Sequence, residues 1–399
     1  VTEAHTPADY SPAHLEAAIE LHRACTVVDA HADTAQRLCD EAWSLTDPLG
    51  HGMLSLASAR AGHLHAATFA AWVEPRLNAG RFSERAFDLI ESVRAEAHRH
   101  RHALRLCRTP REVAATRAEG LFAMLLSVEG GHAIENSLDT LQAFHKLGVR
   151  SLTLTWSNSN EWADSCGDLD DPTVTHHGGL TRFGRSVIAE MNRLGMMVDV
   201  SHVSDATLND VLACSTAPII ASHSSARALT DAPRNLTDAQ LRTIARCGGV
   251  VCVNFYAGFI SAEWRTAWNA LRPELEAAHT ALERESAARG EHITYARQHA
   301  LDAEFAARIP RPPFSALIDH IEHIARVAGP DHVGLGSDFD GIPQLPAGLD
   351  SAADLPKITA ALLARGLAPA DLTKLLGGNL LRVMAEVQSA SRPRSSESE

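Results

Sequence analysis

Eight short apolar runs, most of them separated by helix-forming segments, constrain this chain more than any other feature. They begin at Thr26 ("TVVDAH"), His65 ("HAATFAAWV"), Leu121 ("LFAMLLSVEGG"), Val149 ("VRSLTLTW"), Met196 ("MMVDVSH"), Ala217 ("APIIASH"), Gly249 ("GVVCVNFY") and His332 ("HVGLGSDFDG"). Runs of this length without clean polar alternation are the pattern of strands buried on both faces of a parallel sheet. Helix ends are readable between them. "TPRE" at Thr109 joins an N-cap threonine to a proline at the first helical position and to Glu112, which would close a capping box; Gly120 is the stop. "TDAQ" at Thr237 and "SPAH" at Ser11 start two more helices. Strand and helix alternating about eight times predict an α/β fold, a (β/α)8 TIM barrel, as one domain over residues 1–388. An open doubly wound sheet is the alternative, disfavoured because no glycine-rich phosphate loop follows a strand.

Two stretches break the rhythm. Residues 260–311 read as a long helical insertion after the seventh predicted strand, equally open to being a lid, a dimer contact or a cover. Residues 389–399, "SASRPRSSESE", are polar and unpatterned, the composition of a disordered tail. Hydrophobic residues at 45% and charged residues at 21% of the 399 allow a large core. A net charge of −13 argues against a general nucleic-acid binder, and no run of apolar residues is long enough to span a membrane. Seven scattered cysteines do not read as a disulfide framework, so a reducing, cytoplasmic setting is expected. Of the 22 histidines, His98, His100 and His102 lie in a polar helical stretch and read as solvated surface.

Other histidines fall where the strands end, which is where barrels of this kind carry their active sites. The first strand ends in His31 and Asp33, two apart and so on one side of an extended chain. Glu129 ends the third predicted strand, His202 the fifth, His223 the sixth, and Asp338 and Asp340 the eighth. A lone strand-end histidine is more often structural than a ligand. Several such groups at the same end of different strands are the donor set of zinc or a similar divalent metal. Glu129, followed by two glycines, is the candidate to bridge two ions. A pair of cations would acidify a shared water to hydroxide and polarise a carbonyl. Asp338 is then the group to move a proton to the leaving amine, and Asp340 a support.

The motifs "DAHADT", "SVEGGH", "LTLTW", "VDVSHVS", "SHSSAR", "VNFY" and "GLGSDFDG" resemble those of the renal-type membrane dipeptidases, zinc enzymes of the amidohydrolase superfamily. The resemblance runs from about residue 25 to 388 and implies two zinc ions per subunit, with a homodimer as the family habit. His31 and Asp33 would hold one ion, His202 and His223 the other, with Glu129 between them and Asp338 as proton shuttle. Arg234 matches the family arginine that grips the substrate's terminal carboxylate, a task suited to a guanidinium fork; Arg227 is the competing candidate. Tyr256 of "VNFY" and Trp156 are expected against the substrate. Mammalian members carry a histidine where this chain has Trp156, and an indole donates one hydrogen bond but carries no proton to give. Asn158 or Asn160 is the neighbour that could substitute. No lipid anchor is expected from the polar stretch "SSESE", which has no apolar tail. The expected activity is hydrolysis of dipeptides with a free carboxyl terminus, tolerating a D-residue there. The alternatives are an N-acyl-amino-acid, amide or lactam amidohydrolase using the same site, and a non-catalytic metal-stabilised scaffold.

Overall fold

Each apolar run contains a strand, and the register of the strands closes them into a ring. The computed structural model describes residues 9–291 and 293–391. Nine strands lie in one sheet: β1 (Val28–Ala32), β2 (Ala66–Trp72), β3 (Leu104–Leu106), β4 (Phe122–Glu129), β5 (Val149–Thr153), β6 (Met197–Asp199), β7 (Ile220–Ala221), β8 (Val250–Val253) and β9 (Val333–Leu335). All pairings are parallel. β2 pairs with β4 along its whole length, Ala66–Trp72 against Ala123–Glu129, and β9 returns to β1 through Asp29 and Leu335. The result is an eight-stranded barrel with helices around it, and β3 stands outside the ring. That extra strand is a departure from the eight expected. It is three residues long and pairs with the start of β4, whose far end pairs with β5.

Strand alternation sorts the core. In β4, Met124, Leu126 and Val128 pack in the large cluster with the surrounding helices, while Ala123 and Leu125 join a second cluster. β8 divides the same way, Val251 and Val253 against Val250 and Cys252. The second cluster includes Leu380, Val383, Met384 and Val387 of the helix Asn379–Ser389, which touches β6, β8 and β9. Just before that helix, Gly377 lies against the start of β1, so this segment closes the amino-terminal end of the barrel. The opposite end is left for chemistry. Ser389 is still helical, which shortens the expected tail; residues 392–399 lie outside the described residues.

The helix starts behave as their residues dictate, with one exception. Ser11 and Thr237 form complete capping boxes with His14 and Gln240. Thr109 caps its helix, but the Glu112 carboxylate accepts from the Arg108 N–H at 2.5 Å, one residue too early to close the box. His98 and His102 are exposed as expected, whereas His100 is half-buried beside Ser44 and Glu96. No helix among the described residues is long and apolar enough to cross a membrane.

After β8 the chain leaves the barrel through the helices Ala257–Ile260, Ala262–Arg289 and Tyr295–Ala306, rejoining it at Phe314–Ala328. This insertion is fastened to the loop that follows β9. The Tyr295 hydroxyl donates to the Asp340 carbonyl at 2.9 Å, and the Gln344 amide donates to the carbonyls of Ala306 and Ile309. The insertion thereby roofs the carboxyl-terminal end of the barrel.

Candidate metal centre

β1 delivers His31, and Asp33 follows as the N-cap of the helix Thr34–Asp40. The strand has already ended at Ala32, so the expected two-residue alternation is not what aims Asp33. Its backbone has turned to φ −88°, ψ 14°, and its Oδ2 still comes within 3.5 Å of His31 Nε2. β6, β7 and β9 likewise stop short of their functional residues. His202, Asp338 and Asp340 all take left-handed backbone, with φ of 70°, 63° and 65°. Non-glycine residues adopt that region at a cost, commonly at functional sites. Strands thus aim His31 and Glu129, and the turns beyond the strands bring His202 and Asp338 to them.

The convergence centres on Glu129. Its Oε2 lies 3.3 Å from His31 Nε2, while its Oε1 lies 2.9 Å from His202 Nε2 and 3.3 Å from His223 Nε2. The two oxygens of one carboxylate thus face two different sets of ligands. Asp338 Oδ1 stands 4.0 Å from His31 Nε2 on the side of Asp33. Donor atoms of His31, Glu129 and His223, and again of His31, Asp33 and Asp338, lie within 4.8 Å of one another. All six side chains are buried.

These residues fit a divalent metal on three grounds. His31 Nε2 and Asp33 Oδ1 are buried with no hydrogen-bond partner, an arrangement that is costly unless a further group satisfies them. Gly341 leaves open the space between the two carboxylates: a Cβ there would fall 2.0 Å from Asp33 Oδ2 and 2.6 Å from Asp338 Oδ1. The charges point the same way. Burial pushes the Asp33 carboxyl up to about 8 and the His202 imidazole down to about 4, and it holds His223 well below the usual range. Burial also opposes charge on His31, yet Glu129 and Asp33 together hold its imidazole well above the ordinary value. Three carboxylates in one dry pocket draw in positive charge.

A supporting layer aims the ligands, and the sequence reading missed it. Ser222 Oγ donates to Asp199 Oδ2 at 2.5 Å and accepts from His223 Nδ1 at 2.7 Å, which leaves the Nε2 lone pair of His223 facing Glu129. Asp199 also accepts from Thr153 Oγ1 and from the backbone of Ser201 and Ser222. Asp29 accepts from the backbone N–H groups of His31 and Ser337 and from the Ser337 hydroxyl. Asp340 points away from the cluster and accepts from Thr34 Oγ1 and the Met53 N–H, both at 2.5 Å. Acidic and hydroxyl residues within the strand runs were the available signal for this layer.

A cavity of about 290 Å3 opens over the cluster, walled by Trp72, Trp156, Tyr256 and Tyr295 above Asp33, Glu129 and Asp338. Trp156 packs against Trp72 with ring centroids 4.8 Å apart and planes tilted by 54°, and it lies 6.3 Å from the His202 ring. Asn160 is spent inside its own loop, accepting from Trp162 and Ala163 and donating to Leu154, and Asn158 does not line the cavity. Arg234 is buried beside His223, donating to the carbonyl of His223 and to Ser224 Oγ; its Nε has no partner. It lines an adjoining pocket that shares Tyr256 and Phe259 with the main cavity. Arg227 is committed elsewhere, in a two-pronged pair with Asp205 at 2.8 Å.

A parallel barrel with three imidazoles and a shared carboxylate at the carboxyl ends of its strands defines a metal-centre barrel. The sequence pattern of the membrane dipeptidases, peptidase family M19, matches residues 15–398, and the chain belongs to that family. It is 35% identical over 302 residues to dipeptidase verJ of Clonostachys rogersoniana, covering 76% of this chain and 65% of that one. It is 31% identical over 379 residues to human dipeptidase 3, covering 92% and 66%. The chain therefore spans just under two thirds of the length of these relatives. Among solved structures, the probable dipeptidase PvdM from Pseudomonas aeruginosa superimposes with a TM-score of 0.80 at 25% identity, over 96% of this chain and all of that one. A metallopeptidase from Rhodobacter sphaeroides, solved with a phosphinate mimic of the dipeptide L-Ala-D-Ala, gives 0.72 at 27% identity over 91% and 99%.

Proposed function

We propose that the protein is a zinc-dependent dipeptidase that cleaves short peptides with a free carboxyl terminus and accepts a D-residue on that side. The observation that carries this reading is Glu129, whose two oxygens face separate ligand groups at the floor of a substrate-sized cavity. Acceptance of a D-residue draws support from the dipeptide mimic bound by the Rhodobacter sphaeroides relative. His31 and Asp33 would hold one zinc ion, His202 and His223 a second, with Glu129 shared. When bound, such ions acidify a water and polarise the scissile carbonyl.

The remaining steps belong to the chain. Asp338 keeps Oδ2 occupied by the Asn254 amide at 2.9 Å, which leaves Oδ1 to take the proton of the attacking water and pass it to the leaving nitrogen. Arg234, with Nε unpartnered, receives the substrate carboxylate. Trp72 and Trp156 exclude water from the reacting end. The seven cysteines are free thiols, which supports a reducing, cytoplasmic location as part of the same proposal.

Trp156, standing where the family resemblance expects a histidine, favours one second reading, an amidohydrolase of N-acyl amino acids. Turnover of a dipeptide panel by the zinc-loaded protein, beside matched N-acyl amino acids and an Asp338→Asn control, decides between them. Dipeptide cleavage that vanishes in the control supports the proposal. Cleavage of the N-acyl compounds alone replaces it with the second reading, and no cleavage of either class removes both.

A further inference from the structure

Past Tyr256, Phe259 and Trp268 the main cavity adjoins a second pocket of about 360 Å3 whose charged lining is three arginines, Arg234, Arg265 and Arg272, with no carboxylate. Arg234 comes from the loop after β7; the other two come from the insertion helix Ala262–Arg289. Residues 265, 268, 269 and 272 recur at helical spacing, so Arg265, Trp268, Asn269 and Arg272 share one face of that helix. All four line the pocket.

An ordinary solvated helix face would pair these cations with neighbouring acids. Here Arg265 makes no ion pair among the described residues. Arg272 has only Glu276, 3.7 Å away between two exposed side chains, a contact of little worth. Tyr256 lines both pockets and so joins them: burial and Asp302 raise the pKa of its phenol, and Arg265 and Arg272 oppose that rise. Three guanidinium groups lining one pocket without a carboxylate give it a positive potential that favours an anion.

We propose that the insertion makes the enzyme selective for dipeptides whose carboxyl-side residue carries a second carboxylate, of the aspartyl or glutamyl type. The proposal rests on the dipeptidase reading above. Arg234 takes the terminal carboxylate, and Arg265 with Arg272 takes the side-chain carboxylate. Guanidinium forks match carboxylates in geometry as well as charge, so a neutral isostere leaves them unpaired.

The test is steady-state kinetics of the metal-loaded full chain on Ala-Glu and Ala-Gln, each with either stereoisomer at the carboxyl side. The expected kcat/KM ratio of Glu over Gln is at least about ten-fold, falling toward one in Arg265→Gln and by a smaller factor in Arg272→Gln. A ratio near one in the unaltered protein, or one that neither substitution moves, overturns the proposal. If no dipeptide is cleaved, the dipeptidase reading fails by itself. Calorimetric titration of free glutamate and glutamine then decides the pocket: tighter binding of glutamate, lost in Arg265→Gln, upholds an acidic-ligand site, and equal binding overturns it.

Discussion

Asn254 donates its side-chain amide to Asp338 Oδ2 at 2.9 Å, and its own Oδ1 is fixed by the Tyr256 N–H at 2.6 Å. The amide therefore has one orientation, and it holds the Asp338 carboxylate with Oδ1 toward His31. Both residues are buried, so the contact is not diluted by water.

Replacing Asn254 by alanine is expected to lower kcat about 10- to 100-fold, the cost of roughly 1–3 kcal/mol for a buried hydrogen-bonding group left unpaired. The Asn254 amide also reaches the His223 carbonyl, at 3.4 Å, but none of the donor atoms expected to hold metal, so bound metal should be retained. Kinetics paired with elemental analysis checks this. A fall in metal content parallel to the fall in rate would make Asn254 structural instead.

Ser222 fixes the tautomer of His223 through the Asp199–Ser222–His223 chain. Ser222→Ala should weaken zinc binding about 10- to 100-fold, the usual range for a lost supporting partner. Competition against a zinc chelator measures it. Unchanged affinity would show that the ring is held by packing alone.

Gly341 leaves room where a methyl group would press on Asp33 and Asp338 at once. Gly341→Ala is expected to reduce turnover more than about 100-fold, since a misplacement near 1 Å at reacting groups is enough. Activity within a few-fold of the unaltered protein would mean that the loop relaxes freely.

Acid sensitivity has a source outside the metal centre. His22 is fully buried between Thr359 Oγ1 and the Gly62 carbonyl, and burial holds its pKa down to about 4; His320 is held to about 4 by burial and by His323. Unfolded histidines protonate below about 6.5, so between there and about 4 the unfolded chain binds more protons and folding weakens as pH falls. The contribution is whole above pH 6.5 and is lost on the way down to about 4. Each residue should cost about 2 kcal/mol at pH 4.5. Denaturant unfolding of the metal-free protein at pH 7 and 4.5 tests it, with His22→Gln expected to shrink the difference. Equal pH dependence in the two proteins would rule His22 out.

The barrel was legible because its strands are buried on both faces, which leaves continuous apolar runs that no amphipathic helix would show. β3 was not, because three residues, one buried and two half-buried, carry no periodic signal. The cluster was legible as residue types at strand ends, yet the expected reason for the pairing of His31 and Asp33 was a strand that had already ended. Left-handed turns aim His202 and Asp338, and the leaning of His and Asp toward that backbone is too weak a preference to announce a turn. Asp29, Asp199 and Ser222 stand out as polar residues in or beside strand runs, but nothing in the sequence marks which partner each will meet. The insertion's place over the site depended on contacts such as Tyr295 to Asp340, made across 45 residues of chain.

Zinc titration into the chelator-treated protein, followed by calorimetry, tests the shared-carboxylate centre most directly. The geometry around Glu129 predicts saturation at two ions per chain, and loss of tight binding at both positions in Glu129→Gln. Saturation at a single ion, or a stoichiometry that Glu129→Gln leaves untouched, would contradict it.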